Sequence, residues 1–141
     1  MNKLGRVLVV EDDPDDAFFV EKAFGVCCPG VELAFARDGD QAVDYLEAEC
    51  KLAAPEPLRL HVLLDLKLPR RSGLEVLRWI RSHPKLGAIP VTIMSGSELS
   101  NDVAEANALG VSDYIRKPVT YAAFLERIRL FCASGGLLPA P

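Results

Sequence analysis

The chain has 141 residues, with 16 basic and 20 acidic side chains and a formal net charge of −4. Half of its residues are apolar and 26% are charged, the composition of one soluble globular domain of ordinary size, with core enough to need no disulfide or metal staple. No apolar run approaches the roughly 18 residues of a membrane span, no charged and then apolar leader opens the chain, and the mild acidity disfavours nucleic acid as the main partner. The expectation is a cytoplasmic protein; a multidomain machine, a membrane protein and a secreted disulfide scaffold are excluded.

Strand and helix alternate five times along the chain. Short β-branched or Leu-rich runs predict strands at Arg6–Val10, Val31–Ala36, Leu60–Leu64, Pro90–Met94 and Ser112–Arg116. Each is too short for a helix and is bounded by turn or acidic residues. After the first strand, Asp13 can cap a helix whose first position is Pro14, where a missing N–H costs nothing. Ala17, Val20 and Phe24 form its expected apolar stripe. Asp38 with Gln41 fits a capping box for the second helix, and Ser72 with Glu75 fits one for the third. Residues 50–59, with Pro55 and Pro57, read as a long loop before the third strand. The fourth helix, about Leu99–Leu109, is alanine-rich and weakly apolar. Thr120 caps the fifth, which carries Phe124, Leu125, Ile128 and Phe131 at helical spacing.

The cysteines carry no motif. Cys27 and Cys28 are adjacent and Cys50 and Cys132 stand alone, which is neither zinc-ligand spacing nor a disulfide framework. They read as reduced, partly buried thiols. His61 and His83 read as structural, and no Ser–His or Cys–His nucleophile can be assembled.

Five β-α units in series imply a parallel sheet with helices on both faces, doubly wound by right-handed crossovers. Ligands of such sheets bind beyond the carboxyl ends of the strands. The first strand there runs into Glu11, Asp12 and Asp13, the third into Asp65, the fourth into Ser95 and Gly96, and the fifth into Lys117 and Pro118. A solvated charge run at a helix start accounts for Asp13, Asp15 and Asp16, because acids favour the first turn. It accounts poorly for Asp65, which ends an apolar run where an unpaired carboxylate is costly. Facing carboxylates need a cation, and an oxygen-only donor set suits a hard one such as Mg²⁺. Lysine and hydroxyl would then face phosphoryl oxygens. Neither G-x-x-x-x-G-K-[ST] nor G-x-G-x-x-G is present, so the edge is not a nucleotide cradle. A phosphoryl group carried on a carboxylate of the protein itself is the remaining chemistry.

VLVVEDD (Val7–Asp13), LLDLKLP (Leu63–Pro69) with Gly73, IMSG (Ile93–Gly96) and YIRKP (Tyr114–Pro118) stand in order at the predicted strand ends. With them the chain resembles the receiver domain of two-component response regulators over about Leu4–Cys132. The resemblance implies a flavodoxin-like fold, a five-stranded parallel sheet of order 2-1-3-4-5. It implies Asp65 as phosphoacceptor, Asp12 as a direct Mg²⁺ ligand and Glu11 as a ligand through water. Asp65 and the backbone carbonyl of Lys67 would complete the protein ligands, with Asp13 a helix cap only. Ser95 takes the place of the hydroxyl switch residue, Lys117 that of the phosphoryl-binding lysine, and Tyr114 that of the aromatic switch. The Lys117–Pro118 bond would be cis, a conformation that proline tolerates. EDDPDDAFFVEKAF, DGDQAVDYL (Asp38–Leu46) and the long loop before LLDLKLP resemble the single-domain regulators paired with bacterial and cyanobacterial phytochromes.

On that resemblance, residues 1–132 are one receiver domain and residues 133–141 a short tail without an effector domain. A sensor histidine kinase (a bacteriophytochrome among the candidates) or a phosphotransfer protein would supply the phosphoryl group. The face made by the fourth helix, fifth strand and fifth helix would carry the output and could pair two copies as a homodimer, an interface that Leu137 and Leu138 could extend. Nucleic acid and membrane are not expected as direct partners. Lys67 and Ser97, two residues beyond Asp65 and Ser95, flank the path of attacking water. Two other readings have discriminating features. A phosphate-independent pseudo-receiver would not need the intact set Asp12, Asp65, Ser95 and Lys117. A haloacid-dehalogenase-like phosphatase needs a second acid two residues after its nucleophile, and Lys67 stands there. The domain is therefore not expected to be an enzyme beyond its own phosphorylation and dephosphorylation.

Overall fold

The computed structural model describes residues 5–52, 60–96, 100–117 and 120–134. The elements run β1 (Arg6–Val10), α1 (Pro14–Cys27), β2 (Glu32–Ala36), α2 (Gly39–Leu52), β3 (Leu60–Leu64), α3 (Gly73–Ser82), β4 (Val91–Ser95), α4 (Ser100–Ala108), β5 (Asp113–Arg116) and α5 (Tyr121–Ser134). The strands form one parallel sheet of order β2-β1-β3-β4-β5, the expected doubly wound architecture.

Side-chain alternation along the strands divides the core in two. Val7 and Val9 of β1, Leu63 of β3, Met94 of β4 and Ile115 of β5 pack with α1 and α5, against Val20, Phe24, Phe124 and Ile128. Leu8 and Val10 of β1, Val62 and Leu64 of β3, and Ile93 of β4 face α2, α3 and α4, against Leu46, Leu77 and Ala106. Both faces are covered, which is why these strands read as continuous apolar runs instead of alternating ones. Removing a ring such as Phe24, 1% exposed, would cost about 3–5 kcal/mol.

The expected cap residues accept from the first helical turns, though neither predicted capping box closes in its reciprocal form among the described hydrogen bonds. Asp13 accepts from the Asp15 amide (2.8 Å), Ser72 Oγ from Glu75 (3.2 Å) and Thr120 Oγ1 from Ala123 (3.2 Å). Asp38 accepts from the Gln41 amide at 2.7 Å, but the Gln41 side chain returns to the amide of Arg37, one residue before the cap (2.9 Å).

Several boundaries shift by a residue. β2 begins at Glu32 because the Val31 amide closes a turn onto the Cys28 carbonyl. β4 runs Val91–Ser95: Pro90 has no N–H to donate, and Ser95 extends the strand. β5 begins at Asp113. α4 is shorter than expected, since Leu109 and Gly110 turn out of the helix with Gly110 at φ 72°, the left-handed conformation glycine adopts freely at a helix end. On α1 the buried stripe is Val20, Ala23 and Phe24, and Ala17 sits half-buried at the rim.

All four cysteines are free, with Cys28, Cys50 and Cys132 buried. Burial pushes the Cys27, Cys50 and Cys132 thiols up, which keeps them protonated and inert. His61 packs edge-on to Phe131, and His83 packs against Trp79. No helix among the described residues is long and apolar enough to cross a membrane.

Candidate functional site

The carboxyl ends of β1, β3, β4 and β5 bring the predicted residues to one place. Parallel pairing sets Val10 beside both Ala36 and Leu64, so the residues that follow, Glu11 and Asp65, leave the sheet side by side. The Glu11 amide donates to the Ala36 carbonyl (2.9 Å) and the Asp65 amide to the Val10 carbonyl (3.1 Å). The Lys117 amide donates to the Ser95 carbonyl (3.0 Å), which fixes the lysine at the other side of the same edge.

Glu11, Asp12 and Asp65 each offer an oxygen, all within 4.8 Å of one another. Glu11 and Asp65 are buried and Asp12 is exposed, so the cluster opens outward through Asp12. Asp65 is held by both oxygens: Oδ1 accepts from the Lys67 amide (3.1 Å) and Oδ2 from Lys117 Nζ (2.9 Å). Gly73 explains its own place in the motif, because a Cβ there would collide with the Asp65 backbone carbonyl.

Lys117 Nζ is the only cation found within the cluster among the described residues, and it is shared. It lies 2.9 Å from Asp65 Oδ2, 2.7 Å from Glu11 Oε1 and 2.7 Å from Asp16 Oδ2. Burial lowers the Lys117 value, but its interactions with Asp16, Glu11 and Asp65 outweigh it and hold the ammonium above its ordinary value. Burial pushes Glu11 up to about 7, with Asp65 adding repulsion and with Lys117 and the Asp13 amide opposing. A single lysine therefore does not compensate the buried acids.

The cluster fits a hard cation. Glu11 Oε1 is buried without an aligned hydrogen bond, despite its ionic contact with Lys117. A buried carboxylate oxygen in that state is costly, and the donor set is all oxygen, as Mg²⁺ or a similar ion prefers. Asp13 takes no part; its carboxylate is spent on the α1 cap, as expected.

Ser95 is 1% exposed at the end of β4. Its hydroxyl and that of Tyr114 are hydrogen-bonded, and burial raises the Tyr114 phenol above its usual value. The two expected switch residues are thus in contact. The Lys67 side chain is exposed while its amide serves Asp65. Pro118 and Ser97 lie outside the described residues, as do Leu137 and Leu138.

Asp16 is the site residue that sequence reasoning missed. It reads as an acid placed for the helix terminus, yet its carboxylate pairs with Lys117. The available signal was its position three residues after the cap, where helical side chains lean back over the N-terminal turn. Two cavities flank the cluster. One, of about 110 Å³, lies between α1 and α5 and is lined by Asp16, Phe19, Met94, Lys117, Thr120 and Tyr121 among others. The other, of about 380 Å³, opens beside Glu11 and Asp12 toward Phe18, Phe35 and Arg37.

Residues 7–129 match the family described as the response regulator receiver domain. The chain is 34% identical over 112 residues to the response regulator Rcp1 of Synechocystis sp., spanning 79% of this chain and 75% of that protein. The crystal structure of the Mn(2+)-bound form of Rcp1 is similar at a TM-score of 0.80 and 30% identity, covering 96% of this chain and 99% of that one. The phosphorylated cyanobacterial phytochrome response regulator RcpA gives a TM-score of 0.80 at 30% identity, covering 92% and 91%. The bacteriophytochrome response regulator RtBRR gives 0.75 at 38% identity, covering 98% and 81%.

Proposed function

The chain belongs to the response regulator receiver domain family of two-component signalling, and from that premise we propose that it accepts a phosphoryl group from a histidine kinase onto Asp65. The observation that carries this reading is the state of Asp65: buried, one oxygen on a backbone amide and the other on Lys117, and clustered with Glu11 and Asp12. Receiver domains are not conventional enzymes, and the chemistry here is a transfer to the protein itself.

In the transfer, an Asp65 carboxylate oxygen attacks phosphorus in line, the P–O bond forms, and the P–N bond to the donor imidazole breaks. Lys117 binds the phosphoryl oxygens as charge develops on them. Asp12, Asp65 and the Lys67 carbonyl would hold Mg²⁺ directly, with Glu11 acting through water. When bound, the ion supplies charge neutralisation between the carboxylates and the phosphoryl oxygens. A relative crystallised with Mn²⁺ supports a divalent cation in this kind of pocket.

The phosphoryl group then draws the Ser95 hydroxyl, and its contact with the Tyr114 hydroxyl carries the displacement to β5. The face of α4, β5 and α5 changes its population between two states and presents the output, including dimerisation through that face. Residues 1–132 form the receiver unit. The likeness to phytochrome regulators supports a phytochrome-type histidine kinase as the donor.

A phosphate-independent binding module is the competing reading, and one experiment separates the two. Incubated with Mg²⁺ and acetyl phosphate, the wild type gains the mass of one phosphoryl group. Asp65→Asn does not, and chelation of the metal prevents the gain. Absence of modification in the wild type would sink the proposal.

A further inference from the structure

Lys117 makes its three contacts with carboxylates of unequal standing. The Glu11 side chain is fully buried and that of Asp65 is 6% exposed, whereas that of Asp16 is 34% exposed. An ammonium has three protons to donate, and three acids surround this one. A phosphoryl group on Asp65 adds acceptor oxygens that require the same ammonium.

The lysine cannot leave Glu11 and Asp65 cheaply, because a buried carboxylate without its partner is penalised heavily. It can leave Asp16, since water takes the vacated place at a half-exposed carboxylate. Asp16 itself stays where it is. It stands in the first turn of α1, with its amide directed at the Asp13 cap (3.4 Å), so it competes for Lys117 from a fixed position. It also sits where pocket and helix surface meet, on the wall of the cavity between α1 and α5.

The geometry points to Asp16 as a positioning residue for phosphoryl transfer: in the resting protein it holds the Lys117 ammonium on the α1 side of the pocket, and it yields the ammonium to the incoming phosphoryl group. Its carboxylate thereby sets how readily the site takes an anionic phosphodonor. This inference rests on the phosphoacceptor role of Asp65. Asp15 is its natural control: it carries the same charge in the same turn and is exposed, and Lys117 pairs with Asp16 instead.

The test follows initial phosphorylation rates of the full chain against acetyl phosphate concentration in Mg²⁺, read by intact mass. The half-saturating donor concentration is expected to fall about 3–10-fold in both Asp16→Asn and Asp16→Ala, on the scale of one partly exposed ion pair. Asp16→Glu should stay near the wild type, Asp15→Asn should shift by less than about twofold, and the maximal rate should hold within about threefold. Equal shifts at positions 15 and 16 would reduce the effect to net charge and overturn the inference. So would unchanged half-saturation in the Asn and Ala variants, or a loss of maximal rate alone. A wild type that takes up no phosphoryl group would fell the Asp65 reading and this one together; a wild type that takes it up beside unshifted variants would fell this one only.

Discussion

The two ends of β1 carry two ion clusters of opposite character. At its start, Arg6 pairs with Glu32 (3.0 Å) and Glu49 (2.8 Å) and donates to the Tyr45 hydroxyl (3.3 Å). That cluster is wet, with Arg6 39% and Glu32 73% exposed. At the far end, Glu11 is enclosed, and Lys117 is divided among three acids. Solvent screens the first cluster, so its charges do little beyond pinning β1 to β2 and α2. Burial concentrates the second, where one ammonium does not compensate the acids around it, the condition that the proposed binding of a cation and then a phosphoryl group requires. Five residues of one strand thus separate an ornament of the surface from the working pocket.

The largest effect should come from removing the central cation at each end. Lys117→Met is expected to slow phosphorylation by acetyl phosphate at least about 100-fold, the scale of losing a charged group at the reacting centre. Arg6→Met should leave that rate unchanged and cost no more than about 1 kcal/mol in urea unfolding. A comparable loss of rate from Arg6→Met would erase the distinction between the two clusters.

A smaller effect should separate the ends by pH in the metal-free protein. The Glu11 carboxyl is raised by burial to about 7 in the fold, against about 4.3 in an unfolded chain. Between these values the folded state holds a proton that the unfolded state has released, so stability is full below about 4.3 and is lost as pH rises toward 7. The loss should reach up to about 4 kcal/mol. In chelator, the melting temperature should fall over this window, and Glu11→Gln should flatten the dependence while weakening Mg²⁺ binding. Glu32→Gln at the other end should leave the slope as it is. A wild-type slope that Glu11→Gln does not alter would contradict the buried-acid account.

The smallest effect concerns Lys67. Its side chain is exposed two residues after Asp65, the position from which it would screen a phosphoryl group on Asp65 from attacking water. Lys67→Asn should change the autodephosphorylation rate about threefold, a difference of roughly 0.7 kcal/mol in barrier. A rate equal to that of the wild type would remove Lys67 from the route.

Much of the fold and most of the pocket were legible because their signals are local. Val7–Val10 and Val62–Leu64 are apolar runs too short for helices, and each ends in an acid that a buried strand does not tolerate without purpose. Asp13, Pro14, Ser72 and Thr120 mark helix starts by chemistry that acts within three residues. What escaped depends on partners distant in sequence. Asp16 looked satisfied by its own helix terminus, and only the fold reveals Lys117 beside it. Arg81 donates to the carbonyls of Gly87, Ile89, Leu109 and Gly110, tying α3 to the turn after α4; backbone acceptors leave no mark in a sequence. The strand limits at Val31 and Pro90 slipped by one residue because turn closure and a missing N–H, not hydrophobicity, set them.

The central claim is that Asp65, rather than its more exposed neighbour Asp12, receives the phosphoryl group. Borohydride reduces an aspartyl phosphate to homoserine, so reduction after phosphorylation in Mg²⁺, followed by peptide mass mapping, locates the acceptor. The account predicts homoserine at position 65 and an unmodified peptide around Glu11 and Asp12. Homoserine at position 12, or at neither position in a phosphorylated chain, would contradict it.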